Sequence, residues 1–116
     1  MDQNPTLSPA GFVAINTIAC EPSYIARFEE LFQTRARAID RLPGFIRMQV
    51  LRPSADGEPY LVVSEWANEA SFQAWTASDE FRQGHRRAFE DVAEARRRGE
   101  VPPMRSEFRT YSVLTR

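Results

Sequence analysis

The sequence predicts an α+β domain, a four-stranded antiparallel sheet with helices packed on one face. Three observations carry this. β-rich and helical stretches follow one another in the order β-α-β-β-α-β. An Asp56-Gly57 turn joins the two middle strands into a hairpin. The first helical region carries a clear apolar stripe at helical spacing. The 116 residues suffice for one domain with one core. A chain 42% hydrophobic and 27% charged is globular in composition. The net charge of −1 gives no electrostatic case for nucleic acid or for a membrane surface. The lone Cys20 can make no internal disulfide and suits a reducing compartment. With no apolar run near 18 residues and no signal-peptide pattern, the expected location is cytoplasmic.

Residues 1–10 are polar with two prolines and are expected to form a flexible tail. Residues 11–116 are then the single folded domain. Phe12 to Cys20 is the first strand. One face carries Phe12, Ala14, Asn16, Ile18 and Cys20; the other carries Val13, Ile15, Thr17 and Ala19. Both faces are apolar, so both should be covered. Asn16 is the exception in its row. A buried amide without a hydrogen bond costs about 1–3 kcal/mol, so Asn16 either pairs with nearby backbone or is aimed into a ligand cavity.

Glu21-Pro22-Ser23 starts the first helix, with Pro22 suited to a first turn. Ile25, Phe28, Leu31, Phe32, Ala36, Ile39 and Leu42 form its stripe, Arg35 lies at the edge near Phe32, and Pro43-Gly44 stops it. Phe45 to Arg52 and Tyr60 to Trp66 are the hairpin strands. Trp66 reads as a structural tryptophan at a strand end.

The second helical region holds the only histidine, His85, ten residues after Trp75. On one unbroken helix these two would stand about 80° and about 15 Å apart. The sequence predicts a break instead. Asn68 can cap a short helix carrying Phe72 and Trp75, and Ser78 followed by Asp79 and Glu80 is a fresh N-cap. The break lets Trp75 and His85 face one cavity. Phe81, His85, Ala88, Phe89 and Val92 share a stripe, so His85 is either a core histidine bonded to a carbonyl or a ligand. Gly84 leaves room beside it. Residues 96–104 read as a loop whose three arginines are either solvated or a flap toward an anion. Ser106 to Leu114 is the last strand, with Phe108, Thr110, Ser112 and Leu114 on one side.

This order is the ferredoxin-like split βαβ arrangement. Its helices hide one sheet face, so the apolar second face of the first strand predicts a homodimer with two-fold symmetry.

Asn16, Leu42-Pro43-Gly44-Phe45, Ser64-Glu65-Trp66, Phe72-Gln73-Ala74-Trp75 and His85 together resemble the haem-degrading monooxygenases of the Isd type. These belong to the antibiotic biosynthesis monooxygenase superfamily of dimeric α+β barrels. The resemblance spans roughly residues 11–114. Its specific part is the set Asn16, Trp75 and His85, complete here. It implies His85 as the proximal ligand of the haem iron. It implies Trp75 on the distal side, crowding the porphyrin out of plane, and Asn16 donating its amide N–H there. Haem would be both cofactor and substrate, cleaved with O2 to a bilin-type product with release of iron. Phe32 would line the pocket, and Arg35, Arg86 and Arg87 are candidates for the propionates. Cys20 could offer a thiolate, but a cysteine at a strand end is more often a small buried hydrophobe.

Two other functions fit the same fold: a haem carrier or store, and cofactor-free oxygenation of small aromatic or quinone-like molecules. A store would need only His85. No glycine-rich nucleotide fingerprint is present, so electrons would come from an external reductant or a separate reductase.

Overall fold

The computed structural model describes residues 11–116; the expected tail of residues 1–10 lies outside them. Four strands, β1 (Phe12–Cys20), β2 (Phe45–Leu51), β3 (Tyr60–Trp66) and β4 (Met104–Ser112), form one sheet in the order β2-β3-β1-β4. All three pairings are antiparallel, which is the expected ferredoxin-like arrangement. The helices are α1 (Ile25–Gln33), α2 (Glu69–Thr76) and α3 (Asp79–Arg97).

Register sorts the two sheet faces. Asn16 lies opposite Val62 on β3 and Phe108 on β4, so these share a face with Ala14 and Ile18. The helices pack there. Phe12, Ala14, Ile39, Trp66 and Phe72 make one buried cluster, and Ile18, Phe28 and Tyr60 make a second. The opposite face carries Val13, Ile15, Thr17, Leu61, Val63 and an exposed Tyr111, together with the charged Arg47, Glu65, Glu107 and Arg109. Gly44 adopts a positive φ of 81°, and a Cβ there would collide with the Ser71 side chain. Glycine thus permits β2 to start against α2.

The split in the second helical region is as predicted. Asn68 Oδ1 accepts from the Ser71 amide at 2.8 Å, and Ser78 Oγ accepts from the Phe81 amide at 3.1 Å. Ser78 Oγ also donates to the Trp75 carbonyl at 2.6 Å, pinning the end of α2 to the start of α3.

Three boundaries differ from the sequence reading. The first helix does not run to Leu42; α1 ends at Gln33, after a short 3-10 turn at Pro22–Tyr24. Arg37 then takes a left-handed φ of 58°, and a second 3-10 turn, Ala38–Arg41, follows. A left-handed non-glycine residue costs about 1–3 kcal/mol. Burial of Ala38 and Ile39 offsets it. Hydrogen bonds from Arg87 Nη2 to the Leu31 and Thr34 carbonyls, at 2.9 and 3.3 Å, also satisfy carbonyls at the helix end. Second, α3 continues through Arg97, because Arg97 and Arg98 both pair with Glu94 one turn back. Third, β4 begins at Met104, where it pairs with Cys20, and ends at Ser112; Leu114 lies beyond it, 95% exposed. A smaller difference is that β2 ends at Leu51 rather than Arg52.

α1 is latched on two sides, to the hairpin and to α3. Arg52 makes a bidentate pair with Glu29, at 2.8 and 2.6 Å, and the Tyr60 hydroxyl donates to the same carboxylate. These hydrogen bonds, with Arg52 the largest influence, hold the Glu29 carboxyl at a pKa of about 2. Toward α3, Asp91 accepts from the Tyr24 hydroxyl at 2.6 Å and from Arg27 Nε at 3.0 Å. Burial alone would raise Asp91, but these two bonds bring it below its ordinary value.

Candidate functional site

Between α1, α3 and the helix-covered sheet face lies a cavity of about 520 Å³, within the ~300–1,000 Å³ usual for small-molecule sites. The sheet supplies its floor with Asn16, Ile18, Val62 and Met104. α1 contributes Phe28, Leu31 and Phe32; α3 contributes Gly84, His85, Ala88, Phe89, Val92 and Arg96. A smaller space of about 240 Å³ adjoins it and shares Asn16, Trp75 and His85 with it. The stripe that periodicity assigned to the core therefore faces this cavity. Phe89 is 54% exposed and His85 half-buried.

Of the seven residues singled out in the sequence, Asn16, Phe32, Arg35, Trp75, His85 and Arg87 line the cavity. Arg86 is exposed and does not line it. Arg87 lines it while its guanidinium holds the end of α1. Arg35 is 3.7 Å from Asp40, a carboxylate it shares with Arg37.

His85 is oriented by its own helix. Its Nδ1 sits 2.7 Å from the Phe81 carbonyl, which can only accept, so Nδ1–H donates there and Nε2 is left without a partner among the described residues. A ring nitrogen bonded to backbone while the other is free is the arrangement of a metal-ligating histidine. Phe81 and Phe89 stack on either side of the ring, with centroids at 4.1 and 5.6 Å. Helical spacing explains this, since residues four apart lie on one face.

Trp75 is placed by Trp66, which is fully buried and donates Nε1–H to Ser64 Oγ at 3.0 Å. The two indoles stack at 5.4 Å, and the Trp75 ring lies 5.9 Å from that of His85. Trp66 is thus the structural tryptophan the sequence suggested. Among the described residues, Asn16 Oδ1 and Trp75 Nε1 are both buried with no hydrogen-bond partner. An unpartnered buried polar atom is destabilising. Two of them beside a histidine with a free ring nitrogen fit a ligand that brings polar groups, as a metalloporphyrin with bound small molecules does.

Cys20 does not line the cavity; it packs against the Ile18–Phe28–Tyr60 cluster, and burial pushes its thiol up. That removes the case for a thiolate ligand. Among the described residues no group of three or more His, Cys, Asp or Glu side chains could hold a bare metal ion. Arg96, which the sequence places only in a run of three arginines either solvated or turned toward an anion, also lines the cavity. It lies eleven residues after His85, and eleven steps of a helix return to within about 20° of the same face.

A mycobilin-producing haem oxygenase of Mycobacterium tuberculosis is 40% identical over 63 residues, 54% of this chain. That match spans 60% of the relative's own length. A staphylobilin-producing haem oxygenase of Staphylococcus haemolyticus is 28% identical over 106 residues, covering 90% of this chain and 96% of the relative. Among solved structures, the haem-degrader MhuD of Mycobacterium tuberculosis, with two haems in its active site, superposes with a TM-score of 0.64. It is 28% identical and is matched over 90% of this chain and 97% of its own. The family model described as antibiotic biosynthesis monooxygenase matches residues 11–87. With the sheet order and the cavity in place, this chain belongs to the antibiotic biosynthesis monooxygenase family.

Proposed function

We propose that this chain is a haem-degrading monooxygenase that takes haem as its substrate, holds the iron through His85 Nε2 and cleaves the porphyrin oxidatively. The observation that carries this reading is the meeting of three features in one cavity: the free Nε2 of His85, the unpartnered Asn16 amide oxygen and the unpartnered Trp75 indole N–H. A carrier needs only the first. When bound, haem supplies the iron at which O2 is activated.

The chain's own residues then have separate roles. His85 anchors, with its tautomer set by the Phe81 carbonyl. Asn16 is the polar group of the floor and would offer its amide N–H to the bound group. Trp75, held by Trp66, would pack against the bound porphyrin. Its ring lies 5.9 Å from that of His85. Phe32 and the α3 stripe exclude water. The similarity to proteins named as haem oxygenases supports the same reading. An external reductant or a separate reductase supplies the electrons, the product is a bilin with release of iron, and the setting is the cytoplasm. Two copies join through the Val13, Ile15, Leu61 and Val63 face of the sheet.

Titration with ferric haem, followed by absorbance, tests the anchor. The parent protein should give a saturable spectrum of histidine-ligated haem. His85→Ala should bind weakly or with an altered spectrum. An unchanged spectrum in His85→Ala, with native folding shown by circular dichroism, removes His85 as the ligand. No uptake by the parent protein would favour cofactor-free oxygenation in the same cavity.

A further inference from the structure

Four arginines line the cavity: Arg35, Arg37, Arg87 and Arg96. Three are engaged. Arg35 and Arg37 share Asp40, and Arg87 donates to the carbonyls of Leu31 and Thr34. The side chain of Arg96 has no ion pair or hydrogen bond among the described residues. Its two neighbours do. Arg97 and Arg98 both pair with Glu94, whose carboxyl their guanidinium groups hold below its ordinary value. The run of three arginines is therefore not uniform: two are neutralised on the outer side of α3, and one faces the cavity.

We propose that Arg96 is the carboxylate anchor of this site, fixing which way an acidic porphyrin enters. The proposal rests on the haem reading of the same cavity and adds the residue that recognises the ligand's propionates. The helix geometry supports it. Arg96 lies about 16 Å along α3 from His85 on the same face. Long helical side chains lean toward the N-terminus, so the guanidinium reaches back along the stripe of Ala88, Phe89 and Val92. The apolar plate of the ligand would lie on that stripe, with its acidic edge under Arg96. At the opposite end of α3, Glu80 also lines the cavity and repels a carboxylate. The two charges give the cavity a polarity that favours one orientation. A helix C-terminus favours a cation without any ligand, so the position alone would mean little. The weight rests on Arg96 being free, lining the cavity and lying in line with His85.

The test compares ferric haem with its propionate dimethyl ester, by absorbance titration of the parent protein, Arg96→Gln and Arg97→Gln. Arg97 is the control, one residue away, paired with Glu94 and not lining the cavity. The diacid should bind Arg96→Gln about tenfold more weakly than it binds the parent, the scale of one charge-assisted contact. The diester should bind both alike, and Arg97→Gln should match the parent with both ligands. An unchanged diacid-to-diester ratio in Arg96→Gln overturns the proposal. So does an equal loss for both ligands, which would mean lost packing. If the parent binds neither porphyrin, the haem reading fails and this proposal falls with it.

Discussion

A ring nitrogen committed to a backbone carbonyl decides what His85 can do. The 2.7 Å contact with the Phe81 carbonyl leaves Nε2 as the acceptor, and neighbouring aromatic rings hold the plane. Asn16 and Trp75 complement it with two polar atoms that have no partner. Removing them should separate binding from turnover. Asn16→Ala keeps the anchor, so ferric haem should still bind. Its aerobic turnover should fall about 10²–10³-fold, the loss typical for one donor of a preorganised site. Single-turnover absorbance in air with a fixed reductant measures both. Parent-rate turnover in Asn16→Ala would remove that residue from the chemistry. The cavity positions of Asn16 and His85 were legible because each breaks an apolar row. Arg96 was not, because sequence shows three equal arginines. Only the fold shows Glu94 taking two of them.

At the scale of elements, two breaks in helices shape the site, and only one was legible. Ser78 announces its break through a cap side chain followed by acids, a local signal. The break after Gln33 has no glycine or proline. It depends on Arg87, which lies 53 residues beyond Thr34, and on a left-handed Arg37. Periodicity cannot see such tertiary bonds, and Ile39 and Leu42 continue the stripe by coincidence of spacing. Arg87→Ala should therefore act on stability, lowering it by about 1 kcal/mol in urea unfolding. It should leave the diacid-to-diester preference of porphyrin binding unchanged. Ser78→Ala loses both the cap and the bond to the Trp75 carbonyl. It should cost about 1–2 kcal/mol and loosen the placement of Trp75, seen as a change in its fluorescence. A variant with parent stability and parent fluorescence would show that the two helices do not need this pin.

For the whole molecule, sheet order and helix placement followed from hydrophobic pattern and turn chemistry, because register is set wherever one face is buried. The cavity did not follow. A pattern shows which residues share a face, not whether that face meets protein or a ligand, and Phe89 at 54% exposure illustrates the difference. No helix among the described residues is long and apolar enough to cross a membrane. Acid should open the latch between α1 and the hairpin. Glu29 has a folded pKa of about 2 against an ordinary 4.5. Its contribution to stability is complete above about pH 4.5 and is lost as pH falls toward 2. Glu29→Gln should flatten that part of the stability–pH curve, measured by thermal melts; an unaltered slope would mean that the latch does not bear on folding.

Light scattering should give about twice the 13.3 kDa chain mass, since the outer sheet face is apolar at Val13, Ile15, Leu61 and Val63. A clean monomer at micromolar concentration would leave that face without its partner. On the proposed function this cavity consumes haem and does not merely hold it. The most direct measurement is the mass spectrum of the porphyrin after the purified haem complex meets a chemical reductant in air. Catalase is included to remove free peroxide. Loss of the haem band, release of one iron per haem and an open-chain product in place of intact porphyrin are expected. Recovery of unmodified haem, still bound through His85, would contradict it.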